Sequence, residues 1–146
     1  MNDRLFLFLA FGCIGITTEI FFTASMDAKN ALLAGQSINW RLMGQSYIWM
    51  LPIYGLAGLL LPIVYKRLQH LHVIIRMCLY ALSIFTVEFI TGWLLDMITG
   101  SCPWEYKTGL QVMGYIRLDY FPAWALFGFM IERIYILLSS KLHLKV

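Results

Sequence analysis

Apolar residues dominate four stretches of the chain, roughly 5–26, 46–65, 73–97 and 120–139. Each is about 20 residues or longer, the length an α-helix needs to cross a hydrocarbon core. Polar positions gather between these stretches, so the pattern predicts an all-α membrane protein of four transmembrane helices with little chain outside the bilayer. The first stretch could be read as a signal peptide, because Arg4 precedes LFLFLAFGCIGI. The apolar run continues past Glu19 through IFFTASM and has a counterpart later in the chain, so it is expected to be retained.

That counterpart is part of a repeat. TTEIFFTASMD (17–27) lies over TVEFITGWLLD (86–96) at an offset of 69, matching Thr17 with Thr86, Glu19 with Glu88 and Asp27 with Asp96. MGQSYIWMLPIYGLAGL (43–59) lies over MGYIRLDYFPAWALFGF (113–129) at an offset of 70, matching Gly44 with Gly114, Pro52 with Pro122 and Gly58 with Gly128, with Tyr65 over Tyr135 beyond. Chance matches of Leu or Met are common in apolar segments, whereas matched Glu, Asp, Pro and Gly at nearly one register are not. The pattern predicts a single membrane domain, 1–146, built from two two-helix repeats of about 4–68 and 72–140. Because each repeat contains two spans, the copies are parallel, with a pseudo-twofold axis along the membrane normal.

Helical spacing from Glu19 gathers Gly12, Gly15, Thr23 and Met26 onto one stripe, and from Glu88 it gathers Ala81, Gly92 and Asp96. Small residues let helices approach where lipid offers no hydrophobic drive. Gly12, Gly15, Pro52, Tyr54, Gly55, Gly92, Gly114, Trp124 and Gly128 are therefore read as packing positions. Pro52 and Pro62 in the second helix and Pro122 in the fourth predict kinks in both.

Composition agrees: the chain is 60% hydrophobic and 13% charged, with a mean hydropathy of +0.73, against the usual quarter charged of a soluble domain. Arg4, Lys66, Arg67, Arg76, Lys141 and Lys145 flank one side of the spans, and Lys29, Arg41, Lys107 and Arg117 the other. The positive-inside rule then puts both termini in the cytoplasm. This bias accounts for the net charge of +3 without a nucleic-acid partner. Cys13, Cys78 and Cys102 have no CxxC or Cys/His spacing, and His70, His72 and His143 fall in tails and a turn, so no disulfide framework or metal site is indicated. With no Gly-rich phosphate loop or nucleophile elbow either, no cofactor and no catalytic residue is assigned, and an enzyme is the less favoured class.

The acids are the candidate chemistry. Counted from the predicted outer helix ends at 1.5 Å per residue, Glu19, Glu88 and Glu132 fall within about 5 Å of one another in depth. An ionised acid at a helix centre costs about 2.5–3.5 kcal/mol, so such acids must be paired, protonated or hydrated. Arg133 is the basic candidate at that depth, although neighbouring residues point about 100° apart. Glu19, Glu88, Glu132 and Arg133 are thus expected to line a mid-membrane polar site for a cation, a proton or a polar solute. Alternatively Glu19 and Glu88 are structural, hydrogen-bonded to Thr or backbone and fixing how the hairpins dock. Asp27 and Asp96 are expected at helix C-termini, where their charge opposes the macrodipole and calls for Lys29, Arg41 or Arg117. Trp104, Glu105, Tyr106, Tyr115, Arg117, Asp119 and Tyr120 form either a headgroup-level belt or a folded cap over the outer mouth.

The stretches EIFFTA (19–24), SYIWMLPIYG (46–55), VEFITG (87–92), CPWEY (102–106), MGYIRLDY (113–120) and MIER (130–133) resemble the CmpB-like putative ABC-transporter type IV family, closest to its transmembrane protein 229 branch. The resemblance covers nearly the whole chain, and CPWEY followed by MGYIRL is its most specific part. Carried over by position, it marks Glu19, Pro52 to Gly55, Glu88, Gly92, Trp104, Glu105, Tyr106, Gly114, Asp119 and Glu132. Glu105 stands where the family usually has Asp, and Asp119 where the close branch has Glu.

The resemblance implies a polytopic membrane protein, and the family name implies transport. There is no Walker motif, so the chain is at most a membrane component of a transporter. Three readings stand: a transporter- or channel-like protein with a carboxylate-lined site; an intramembrane enzyme acting on a lipid or isoprenoid, with one carboxyl as acid and another as base; or an assembly protein whose acids only dock helices. Membrane lipid is the expected partner in all three, and a homo-oligomer or larger membrane complex is compatible with each.

Overall fold

A computed structural model describes residues 2–37, 40, 41 and 43–143; Lys145, counted above among the flanking basic residues, lies outside them. Asn2 accepts the backbone N–H of Arg4 at 3.1 Å and starts α1, Asp3–Leu33. This helix runs seven residues past the apolar stretch, because DAKNALLA contains good helix formers and no Gly or Pro. Gly35, at φ +67°, then ends it, with the Gln36 N–H bonded to the Ala31 carbonyl. Helix α2 is Met50–Leu68, α3 is Val73–Thr99 and α4 is Phe121–Leu142, entered through a 3-10 turn at Leu118–Tyr120. Among the described residues four segments are long and apolar enough to span a membrane, and only 17–22% of each is buried within the protein. The remaining apolar surface, including Phe21, Phe22, Leu82, Trp93 and Leu126, needs lipid around it.

Two of the three helix prolines fall at helix starts. Pro52 is the third residue of α2 and Pro122 the second of α4, positions whose N–H has no partner inside the helix. The cause for a kink in α4 therefore falls away, and Pro62 alone stands inside a helix.

The chain divides into two compact units, one up to Leu60 and the other from Leu61 on, with the boundary inside α2. In the first unit glycines set the approach of α2 to α1. A Cβ on Gly12 would stand 3.0 Å from Leu51 Cδ1, one on Gly55 would meet the Phe8 ring, and one on Gly58 would stand 3.0 Å from Phe11 Cβ. Leu7 and Phe11 are buried here. In the second unit α3 packs on α4 through Gly128 against Tyr80, through Phe85 beside Phe121 at 6.2 Å, and through Ala81 and Ala125. Tyr65, at the end of α2, meets the edge of Tyr135 on α4 at 5.7 Å.

These pairs show that α4 begins level with Phe85, whereas α3 continues to Thr99. The end of α3 thus runs about ten residues past the start of α4, and residues 102–120 fold into the step. A two-residue hairpin forms there, β1 (Gln111–Val112) and β2 (Ile116–Arg117), paired antiparallel as Gln111 with Arg117 and Val112 with Ile116. Its turn holds Met113 at φ +53° and Gly114 at φ +78°, with the Tyr115 N–H on the Val112 carbonyl, the geometry of a type I′ turn.

Candidate functional site

In the first unit Glu19 projects from the middle of α1. Its Oε2 accepts from Ser46 Oγ at 2.8 Å and from the Tyr54 hydroxyl at 3.2 Å. Tyr54 reaches it because Gly15, one turn earlier on α1, leaves room for the ring. The segment carrying Ser46 is strapped to α1: the Gln45 N–H donates to Thr23 Oγ1 at 2.9 Å, and Gly44 lies against the Ile20 carbonyl. Because α1 continues to Leu33, Asp27 is not at the helix end as expected but more than a turn inside it, beside a hollow of about 310 Å³ lined by Phe22, Thr23, Met26 and Gln45.

In the second unit Glu88 is less well served. Its Oε1 accepts from the Tyr106 hydroxyl at a long 3.4 Å, while Oε2 is buried without a hydrogen bond. The indole N–H of Trp124, which faces the same carboxyl, is also buried and unbonded. Among the described residues Glu88 forms no ion pair. Tyr106 is fixed by its N–H on the Gly114 carbonyl at 2.9 Å, and its ring meets the edge of Tyr120, which in turn meets Trp124. The Trp124 N–H and the Glu88 carboxyl thus face each other at a geometry short of a well-formed hydrogen bond, in a place where an unmade hydrogen bond costs about 1–3 kcal/mol.

Residues 102–120 fold as a cap on this unit. Trp104 Nε1 donates to the Tyr115 carbonyl at 3.2 Å, and the Tyr115 hydroxyl donates to Asp96 Oδ2 at 2.7 Å, its ring edge-on to Phe89. Gly92 leaves the space that Tyr115 and Cys102 occupy. Arg117 holds Asp119 through Nε and Nη2, donates through Nη1 to the Tyr120 hydroxyl, and lies over the Tyr120 ring at 4.4 Å. The nearby Asp119 carboxylate consumes this guanidinium, so the partner of Asp96 is a tyrosine and not the expected Arg117. Glu105, by contrast, points outward and pairs only with exposed Lys107 at 3.3 Å.

Burial pushes the Cys102 thiol and the Tyr106 hydroxyl above their ordinary titration ranges, the Tyr106 shift reinforced by the Glu88 carboxylate, and the bond to Asp96 does the same for Tyr115.

Glu132 belongs elsewhere. It is fully buried, and Arg76 grips it bidentately, Nε on Oε2 and Nη2 on Oε1, both at 2.9 Å. The Tyr80 hydroxyl adds a third bond at 2.6 Å, and Arg76 Nη1 donates to the Leu71 carbonyl at 3.0 Å. The expected neighbour Arg133 turns away and lies over the Phe129 ring at 4.6 Å, as the 100° step between adjacent residues requires. Tyr80 and Glu88 are eight residues apart on α3, as are Trp124 and Glu132 on α4, so Glu132 stands about 12 Å along the helices from Glu88. The depth estimate failed because it assumed that α3 and α4 end level. By its place in the sequence Arg76 reads as a flanking charge, although Arg76 and Tyr80 lie one turn apart on the same face.

Four apolar spans define a small multi-pass membrane protein. The chain belongs to the family described as Putative ABC-transporter type IV, whose model matches residues 6–145. No solved structure matches it.

Proposed function

We propose that the protein is a transporter-type membrane component whose working carboxyl is Glu88, in a polar site closed by Trp124 and by Tyr106 from the cap. The observation that carries this reading is that Glu88 Oε2 and Trp124 Nε1 are buried facing each other without a well-formed hydrogen bond, and that Glu88 has no basic partner among the described residues. A carboxyl at this depth without a basic partner is neutralised by a proton or a bound cation, and acids so placed mark pathways and relays. Glu132 is assigned a structural role instead, since its charge and lone pairs are already met by Arg76 and Tyr80.

Duplication of the hairpin belongs to the same reading. Tyr54 and Trp124, an offset of 70 apart, each face the glutamate of their own unit; Gly58 and Gly128 each face an aromatic residue, Phe11 and Tyr80, an offset of 69 apart. Parallel copies about a pseudo-twofold axis, with both termini cytoplasmic, fit this pairing and the basic residues at the chain ends and the α2–α3 turn. In vesicles loaded with a pH-sensitive dye, wild-type protein is expected to speed the decay of an imposed proton gradient, and Glu88→Gln to remove that effect. An equal rate with Glu88→Gln, the variant being folded and inserted, contradicts the assignment.

A further inference from the structure

We propose that the groove between the end of α2 and the outward face of α3 binds an anionic phospholipid, its headgroup on Arg67 and Lys66 and an acyl chain along the trough. The groove has a volume of about 340 Å³ and is walled by Val64 and Leu68 from α2 and by Leu79 and Leu82 from α3, with Arg67 on its rim. Ser83 and Thr86 also line it, but their hydroxyls donate to the carbonyls of Leu79 and Leu82 within α3, both at 2.8 Å. No donor is left over, so the trough is apolar in effect. From Leu79 to Thr86 it follows about 10 Å of helix, room for a segment of a fatty chain.

Charge selects the occupant. The sequence contains no Asp or Glu between Asp27 and Glu88, while Lys66, Arg67, His70, His72 and Arg76 crowd the α2–α3 turn. Among the described residues Glu132, the carboxyl near this end of the unit, is consumed by Arg76. Lys66 and Arg67 are exposed and form no ion pair among the described residues. Arg67 lining an apolar trough at the end of a membrane span, with exposed Lys66 beside it in the chain, matches a lipid with a net negative headgroup; a zwitterionic one also brings a phosphate, but with its own ammonium to offset the attraction. A transmembrane helix from another chain would cover the trough but not the charge.

The test uses the purified full-length chain in nonionic detergent, with phosphatidylglycerol or phosphatidylcholine of the same acyl chains. Native mass spectrometry is expected to show a preference of about tenfold for phosphatidylglycerol, with a matching rise in unfolding temperature. Lys66→Gln with Arg67→Gln should abolish the preference. Leu82→Trp should block the trough with all charges intact; Leu82 is 52% exposed, so the larger ring meets no core, and Leu79→Phe serves if that variant does not fold. Equal retention of the two lipids, or a phosphatidylglycerol preference that survives both the charge and the groove variants, overturns the proposal. So does inorganic phosphate raising the unfolding temperature as much as the lipid, which would assign a bare anion site. A change of oligomeric state on Leu82→Trp with lipid retention unaltered would give the groove to a second copy of the chain and likewise overturn it.

Discussion

Near the starts of α1 and α3, positions related by an offset of 69 carry opposite chemistry. Leu7 and Phe11 are buried apolar residues at 0% and 2% exposure, while Arg76 and Tyr80 hold a fully buried Glu132. The position related to Glu132 in the first half of the chain is Pro62. Farther along the same helices the contrast turns round. Glu19 receives two hydroxyls, whereas Glu88 receives one long hydrogen bond from a hydroxyl, and its other, buried oxygen has no well-formed hydrogen bond. On the proposed reading, the acid whose partners run out is the working one. Glu132 is fully buried and is met by three charged or hydroxyl donors, whereas Glu88 receives one long hydrogen bond and no cation among the described residues.

The largest effect in this comparison should come from breaking the Arg76–Glu132 pair. Arg76→Leu copies the residue at position 7 but strands a buried carboxylate, and should cost about 3–5 kcal/mol in thermal unfolding in micelles. Adding Glu132→Leu should recover most of that loss, because an apolar pair of similar volume replaces a buried ion pair with little penalty. A double variant no more stable than Arg76→Leu alone would show that the two hairpins do not tolerate the same chemistry there.

Gly128→Val should come next, at about 1–3 kcal/mol, since its added atoms enter the space of Tyr80 and a packed contact resists overfilling. Gly35, where a Cβ meets nothing, is the control for packing, although its positive φ adds a backbone cost.

The cap should show a pH dependence of fixed sign. Cys102, Tyr106 and Tyr115 all titrate above their ordinary values in the folded protein, so each stabilises the cap in its protonated form. That contribution is complete below the ordinary thiol and phenol values of about 8.5 and 10 and is lost as the pH rises through the raised ones. Proteolysis within residues 102–120 should stay slow at neutral pH and accelerate in alkali, and Tyr115→Phe should reduce the change. Acceleration below neutral pH would contradict this account.

The smallest effect is at the hairpin turn. Met113 occupies a left-handed conformation at φ +53°, so Met113→Asn should stabilise the cap by a few tenths to about 1 kcal/mol, read as slower proteolysis.

The spans were legible because a run of about 20 apolar residues has few other uses. Their ends were less so: α1 outran its apolar stretch on helix propensity alone, and α4 began below the end of α3 where hydropathy gives no marker. The hairpin left no trace because strands of two residues show no alternation and its turn uses Met-Gly in place of the usual Asn-Gly. Of the candidate acids, Glu19 and Glu88 were legible in the sequence as acids matched at an offset of 69. Their partners were only half so, since Tyr54 and Trp124 had been read as packing residues. Glu132 was legible as a buried acid but not as half of an ion pair, because nothing in the spacing of Arg76 and Glu132 along the chain joins them.

The most direct test is chemical. A hydrophobic carbodiimide reacts from within lipid with protonated carboxyls that lack a cation. Mass spectrometry of labelled, membrane-inserted protein should find the adduct on Glu88 and none on Glu132. Labelling of Glu132 at a comparable rate, or none on Glu88, would contradict the division between a working acid and a structural one.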